Sequence, residues 1–377
     1  MDKKFEPLFE NVTLPNKAEL RNKFVLAPLT HTSSNDDGTI SDVEINYMEQ
    51  RSTDVGLAIT AASYVTDLGK SFPGHPSVSR DSDLDGLKRL AAAMKKNGAK
   101  AIAQIHHGGA QALPRLTSSG EAAAPSPITL KSFDESEEHY ARQITQDEIE
   151  ETITAFGEAT RRAIEAGFDG VEIHGANHYI IQQFVSPHYN RRDDEWGEDR
   201  LKFPMRVVDE VVNAVKTHTD DSFIIGYRFS PEEAENPGIT MEITEDLVKH
   251  LVEKPLDYLH VSLMDVHAKT RVGKYQGEER IKLLHEWIDG RMPLLGIGSI
   301  FTPEQALEAV ETGNIELLAL GREILLDHNF VNKIENDATD TIISKFDPYR
   351  EDKHDLPPNL WDAFNDGFYP LPRTDGK

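Results

Sequence analysis

The chain of 377 residues contains no cysteine. That absence excludes disulfides, iron–sulfur clusters and thiolate catalysis, and it fits a reducing compartment; the expected location is cytoplasmic. Long apolar runs are missing too. None approaches the roughly 18 residues of a membrane span, and Met1–Glu10 is charged, without the apolar core of a signal segment. Basic charge is in short supply: 40 Lys and Arg face 65 Asp and Glu, a formal charge of −25. A surface of that sign repels phosphate backbones and anionic lipid heads, so neither nucleic acid nor a membrane is an expected partner. The plain reading of the acid excess is solubility.

What is present is a repeat of short apolar runs separated by helix-like segments. The runs Phe24–Ala27, Leu57–Ala61, Ala101–Gln104, Gly170–Ile173, Phe223–Arg228, Tyr258–Val261, Pro293–Gly296 and Leu317–Leu320 read as strands. Eight strands with helices between them are the number that closes a (β/α)8 TIM barrel, and the expected class is α/β. The helices carry their own punctuation. Ser41-Asp-Val-Glu44 and Thr145-Gln-Asp-Glu148 fit the capping box. Gly98, Gly167 and Gly313 follow helical stretches as a left-handed end residue does, and Pro303 after Thr302 suits a first helical position.

The spacing is uneven in one place. About 65 residues part the third and fourth strands, and Ala112–Arg142 among them look irregular. This insertion, at about 110–143, is expected to cap the C-terminal rim, where barrel loops carry function; a tolerated insertion is the plain alternative. After a short N-terminal lead-in the barrel should occupy 1–345. The remainder, 346–377, holds five prolines together with Tyr349, Trp361, Phe364, Phe368 and Tyr369. So many aromatics suit a tail docked on its own barrel or on a neighbouring subunit.

Two glycine turns follow the seventh and eighth strands, Gly296-Ile-Gly298-Ser299 and Leu320-Gly321-Arg322. In α/β barrels these loops often cradle a phosphate, since glycine lets backbone N–H groups approach an anion and Arg322 supplies a permanent cation. The fourth strand leads into His174-Gly-Ala-Asn177-His178-Tyr179. There His174 and Asn177 can donate to one oxygen and Tyr179 can give a proton. Gln104, ending the third strand, offers donor and acceptor together, as a pyrimidine edge requires. Arg228, ending the fifth, is a fixed cation of the kind that stabilises a reduced flavin. The hydroxyl of Thr30, in Pro28-Leu-Thr30 after the first strand, could reach a flavin carbonyl. Structural readings remain open for each: a satisfied histidine, a polar neighbour, a salt bridge at the barrel mouth, a packing tyrosine.

Taken together the motifs resemble the old yellow enzyme family of NAD(P)H-dependent flavin oxidoreductases, in its short single-barrel form. They are Leu8-Phe9, Leu20-Arg-Asn22-Lys23, Ala27-Pro28-Leu29-Thr30, Gln104-Ile-His-His107-Gly108, Ala166-Gly-Phe-Asp-Gly-Val-Glu-Ile-His174, Phe184-Val-Ser-Pro187, Asn190-Arg-Arg-Asp193 and Gly321-Arg322-Glu323. The resemblance implies an FMN held by Pro28, Thr30, Ala62, Gln104, Arg228, Gly298, Ser299, Gly321 and Arg322, with NADH or NADPH as co-substrate. It implies that His174 and Asn177 bind the carbonyl oxygen of an activated alkene and that Tyr179 is the proton donor. A small-molecule oxidant and a homo-oligomer, dimer or tetramer, are the expected partners, with no bound metal. Three positions depart from the family pattern. Ala110 stands where an Arg is common, Trp196-Gly-Glu-Asp-Arg200 is a shortened run, and Thr30 replaces the Cys of some members.

Two other classes stay in view. A metal-dependent barrel hydrolase is suggested by 15 His, although His106-His107 and His174/His178 lack matching carboxylates at the strand ends. A flavin-binding protein without turnover is the other. Enones, quinones, nitro compounds and nitrate esters are all open as oxidants.

Overall fold

The structure, a computed structural model, describes residues 1–132, 137–367 and 370–376. Eight strands form one closed sheet: β1 Phe24–Leu26, β2 Leu57–Ile59, β3 Lys100–His106, β4 Gly170–Gly175, β5 Ile224–Phe229, β6 Tyr258–Val261, β7 Leu294–Ile297 and β8 Leu317–Leu320. Each pairs in parallel with the next, and β8 returns to β1. The expected TIM barrel is therefore present, with all eight strands where the apolar runs placed them. Two of the runs were read too short: β3 continues to His106 and β4 to Gly175.

Helices α1 Asp42–Arg51, α2 Leu84–Lys95, α3 Gln146–Ala166, α4 Lys202–His218, α5 Met241–Leu251, α6 Arg280–Ile288, α7 Pro303–Glu311 and α8 Phe330–Glu335 surround the sheet. Thr145 and Glu148 make the reciprocal capping box that starts α3, and Gly167 ends it at φ +83°. At α1 only half the box forms. Ser41 Oγ accepts from the Glu44 N–H, but the Glu44 carboxylate turns inward to His31 and Ser34.

Successive strand residues point to opposite faces, so every second residue faces the barrel axis. Ile102, Ile224, Leu57, Ile59, Leu295, Leu317 and Ala319 fill the interior toward the N-terminal end. A hairpin, Val12–Thr13 with Glu19–Leu20, closes that end with Leu14 and Leu20. Asp257 pins the plug by accepting from the N–H of Asn16 (2.9 Å) and of Ile225 (2.8 Å). At the other end polar residues replace apolar ones, and that is where the site lies.

The described residues of the 112–142 segment are not all irregular. They include a three-stranded sheet in which Glu138–Gln143 lies between Ala122–Ala124, parallel, and Ile128–Lys131, antiparallel. Ala110, Ala112 and Tyr189 pack beneath it, and Arg192 Nη1 donates to the carbonyls of Pro125 and Ile144, both at 3.0 Å. In the C-terminal segment Phe346, Trp361 and Phe364 are buried, while Tyr349 is exposed. Arg51 Nη2 donates to the carbonyls of His354 and Asp355, and His354 Nδ1 lies 2.9 Å from the Leu326 carbonyl. Phe368 and Tyr369 lie outside the described residues. No helix is long and apolar enough to cross a membrane, among the residues described.

Candidate active site

Alternation along the strands builds the site in two layers. Gln104 on β3, Glu172 on β4, Gly226 on β5 and Tyr258 on β6 stand side by side in register. Two residues further along, His174, Arg228 and His260 form the layer above. The lower layer is tied by hydrogen bonds. Gln104 Nε2 donates to Glu172 Oε1 (2.7 Å), and His260 Nδ1 lies 2.9 Å from Glu172 Oε2. Gly226 is required here because a Cβ would meet the Tyr258 ring at 2.1 Å. Burial opposes charge on Glu172, but His260, Arg228 and Gln104 outweigh it and hold the carboxyl below its usual range. His260 is held neutral, chiefly by burial.

His174 is buried, and its Nδ1 accepts from the Ala176 N–H at 3.3 Å. The ring proton therefore resides on Nε2. Burial first, then the charge of Arg228, pushes its pKa well below the ordinary histidine value, so it is a neutral donor at pH 7. Asn177 sits at φ +57°, a left-handed conformation that Asn tolerates better than most residues. Its N–H donates to Ser230 Oγ at 2.9 Å, and its amide oxygen accepts from Ser262 Oγ at 2.9 Å. With the oxygen occupied, the Nδ2 protons are the free end. Ser262 also accepts from Arg228 Nη2 at 3.2 Å. Tyr179 starts the short helix Ile180–Val185, its ring edge-on to His106 (4.1 Å between centroids) and His174 (5.1 Å). Burial pushes its phenol up to about 12, with Arg228 pulling the other way.

Across the mouth, Gly298 (φ +129°) and Ser299 (φ +55°) turn sharply after β7. A Cβ at Gly298 would come 2.6 Å from the Asp265 nitrogen. Arg322, from the turn after β8, donates through Nη2 to Ser299 Oγ (3.0 Å) and the Met264 carbonyl (3.1 Å), and through Nη1 to the Pro370 carbonyl (2.9 Å). Gly321 precedes it, and nothing lies within 3.6 Å of where its Cβ would be. Pro28 is buried and Thr30 half-buried after β1, and Ala62 is buried after β2.

The structure thus gathers His174, Asn177, Tyr179, Gln104 and Arg228 at one mouth and joins Ser299 to Arg322 beside it. Pro28, Thr30, Ala62 and Gly321 stand on the same rim without a side-chain hydrogen bond to either group. Sequence reasoning missed Glu172, His260, Ser230 and Ser262. Glu172 and His260 did leave a signal: each lies two residues from an inward-facing site residue or strand partner, in an otherwise apolar strand. The two serines left none. Among the described residues, no three His, Asp or Glu side chains converge in a metal-binding set.

The pattern of the NADH:flavin oxidoreductase / NADH oxidase family matches residues 7–341. The chain is 47% identical over 366 residues to a probable NADH-dependent flavin oxidoreductase, YqiG, of Bacillus subtilis (strain 168), spanning 96% of this chain and 97% of that one. It is 37% identical over 366 residues to the NADH:acrylate oxidoreductase of Vibrio harveyi, spanning 95% of this chain but 36% of that protein. The old yellow enzyme homologue from Zymomonas mobilis superposes with a TM-score of 0.77 at 21% identity, over 94% of this chain and 96% of that one, which shows a shared fold. The chain therefore belongs to the NADH:flavin oxidoreductase / NADH oxidase family, as an NAD(P)H-dependent flavin oxidoreductase on an old yellow enzyme barrel.

Proposed function

We propose that the flavin is FMN and that the oxidant is a small activated alkene, an α,β-unsaturated carbonyl compound, with quinones and nitro compounds as further acceptors. The observation that carries this reading is the pair of fixed donors, His174 Nε2–H and Asn177 Nδ2–H, with Tyr179 alongside. Bound there, FMN would supply the hydride chemistry, accepting hydride from NADH or NADPH and delivering it to the oxidant in ping-pong order, with both reactants using the same place in turn.

The residues fit such a group. The left-handed backbone at Gly298 and Ser299, with Arg322 beside it, suits a monophosphate, which several backbone N–H groups and a forked cation can hold. Gln104 donates its amide N–H to Glu172 in a hydrogen bond, which leaves its oxygen to accept from a ring N–H. Arg228 supplies positive charge where a reduced ring gathers negative charge. Pro28, Thr30, Ala62 and Gly321 complete the proposed wall.

On the substrate side, His174 and Asn177 polarise the carbonyl, because charge grows on that oxygen as the alkene is reduced. Being neutral, His174 donates without leaving a proton behind. Tyr179 gives its proton to the α-carbon. Two relatives are named for acrylate and fumarate, both alkenes conjugated to a carboxyl group, though this chain spans only 36% and 38% of those proteins. Assembly into a homo-oligomer is part of the proposal, as is a barrel of 1–345 with a tail of 346–377. Heat release of the cofactor followed by chromatography tests the flavin: FMN is expected, and FAD would refute it.

A further inference from the structure

Glu172 is a buried carboxylate at the site to which the proposed reaction assigns no role. It lies inside the barrel, directly below His174 on the same strand face, and is fully buried. Burying a carboxylate is costly unless hydrogen bonds and nearby positive charge offset it. Both of its oxygens are engaged, one by Gln104 Nε2 at 2.7 Å and the other by His260 Nδ1 at 2.9 Å. Glycine at 226 opens the space through which the Tyr258 ring reaches the same layer. A buried carboxylate on β4 is therefore held between Gln104 of β3 and His260 of β6, in a layer where β5 contributes only Gly226.

We propose that Glu172 is a positioning residue for the cofactor site, fixing the Gln104 amide with its oxygen toward the flavin ring edge and tempering the positive field of Arg228. The inference rests on the cofactor contact proposed for Gln104. An amide has two nearly isosteric ends, and a site that needs an acceptor must hold the other end down. Glu172 does that, since an ionised carboxylate accepts hydrogen bonds and donates none. His260 in turn fixes the carboxylate plane. The charge matters separately from the hydrogen bond. Arg228 stands one layer above Glu172 on the neighbouring strand, so its positive charge acts in the site together with the negative charge below it.

The test uses purified holoenzyme and its apoprotein. Glu172→Gln keeps the size but removes the charge and puts an NH2 donor in place of one acceptor oxygen. It should shift the potential of the bound flavin in the positive direction, because the reduced ring is the more negative form. It should also weaken FMN binding to apoprotein about tenfold, the worth of one well-made hydrogen bond. A potential that does not move overturns the proposal, since a packing role alone would lower affinity without that shift. Gln104→Ala measured beside it separates two failures. Unchanged FMN affinity in Gln104→Ala removes the cofactor contact itself and the inference with it. A loss there with wild-type behaviour in Glu172→Gln removes the role of Glu172 alone. If Glu172→Gln does not fold, Glu172→Asp decides: its charge stays but its reach shortens, so the potential should hold while affinity falls, and wild-type affinity would overturn the inference.

Discussion

Ser262 Oγ donates to the amide oxygen of Asn177 at 2.9 Å, and through this contact β6 sets the direction in which a residue from the β4 loop presents its N–H groups. Ser262→Ala removes the constraint without touching the ligand. Losing one such bond costs about 1 kcal/mol, so affinity for a para-substituted phenol, bound as its phenolate between His174 and Asn177, should fall about fivefold. Titration of the long-wavelength band that a phenol gives on a bound flavin reads this directly.

Tyr179→Phe should slow reduction of an enone by about 10²–10⁴-fold and leave quinone reduction nearly intact, because a quinone needs no proton on carbon. The pH profile follows from the phenol held at about 12. A raised pKa keeps the proton-bearing form in place up to higher pH, so the enone rate should hold through pH 10, where an ordinary tyrosine would already be half ionised. A fall centred on pH 10 would show that burial does not act on this phenol.

Arg322 shares its donors among Ser299, Met264 and Pro370, all neutral acceptors. A phosphate offers charged ones, for which the hydrogen bonds are worth roughly 1.5–3 kcal/mol. Arg322→Met should therefore weaken FMN binding by about tenfold to a hundredfold, and riboflavin, which has no phosphate, should bind both proteins equally. Fluorescence titration of apoprotein with the two flavins makes the comparison.

Glu323, next to Arg322, is buried and neither carboxylate oxygen has a hydrogen-bond partner among the described residues. Burial, and then the charge of Asp327, raises its pKa from 4.5 to about 10. Between those values the folded chain keeps a proton that the unfolded chain has released, so this group's contribution to stability is full below about pH 4.5 and declines as pH rises toward 10. Glu323→Gln removes that decline. Thermal melts should show the variant gaining on wild type between pH 5 and pH 9, and a constant difference would refute the assignment.

The barrel was legible because its signals are local. Gly170–Ile173 and Leu317–Leu320 are short apolar runs between helix ends marked by Thr145, Gly167 and Thr302. The cap sheet was not. Ala122-Ala123-Ala124 carries no strand preference, and Glu138–Gln143 alternates too weakly to separate a face. The N-terminal hairpin has strands of two residues each, below any periodicity. In the site, residue types at the strand ends pointed to His174, Arg228 and Gln104, whereas Ser262 and Ser230 matter through contacts made 85 and 53 residues away from Asn177. Glu44 shows the limit of a local motif: its sequence fits a cap, and a buried histidine, His31, took its carboxylate instead.

The central claim is that His174 and Asn177 polarise an alkene's carbonyl. The direct measurement is anaerobic rapid mixing of NADH-reduced protein with an enone, comparing wild type with the His174→Ala/Asn177→Ala double variant. Wild type should be reoxidised with formation of the saturated carbonyl product. The double variant should still be reduced by NADH but should reoxidise at least ~10²-fold more slowly, the scale of losing paired donors to a developing oxyanion. Reoxidation of the double variant at the wild-type rate would contradict the account.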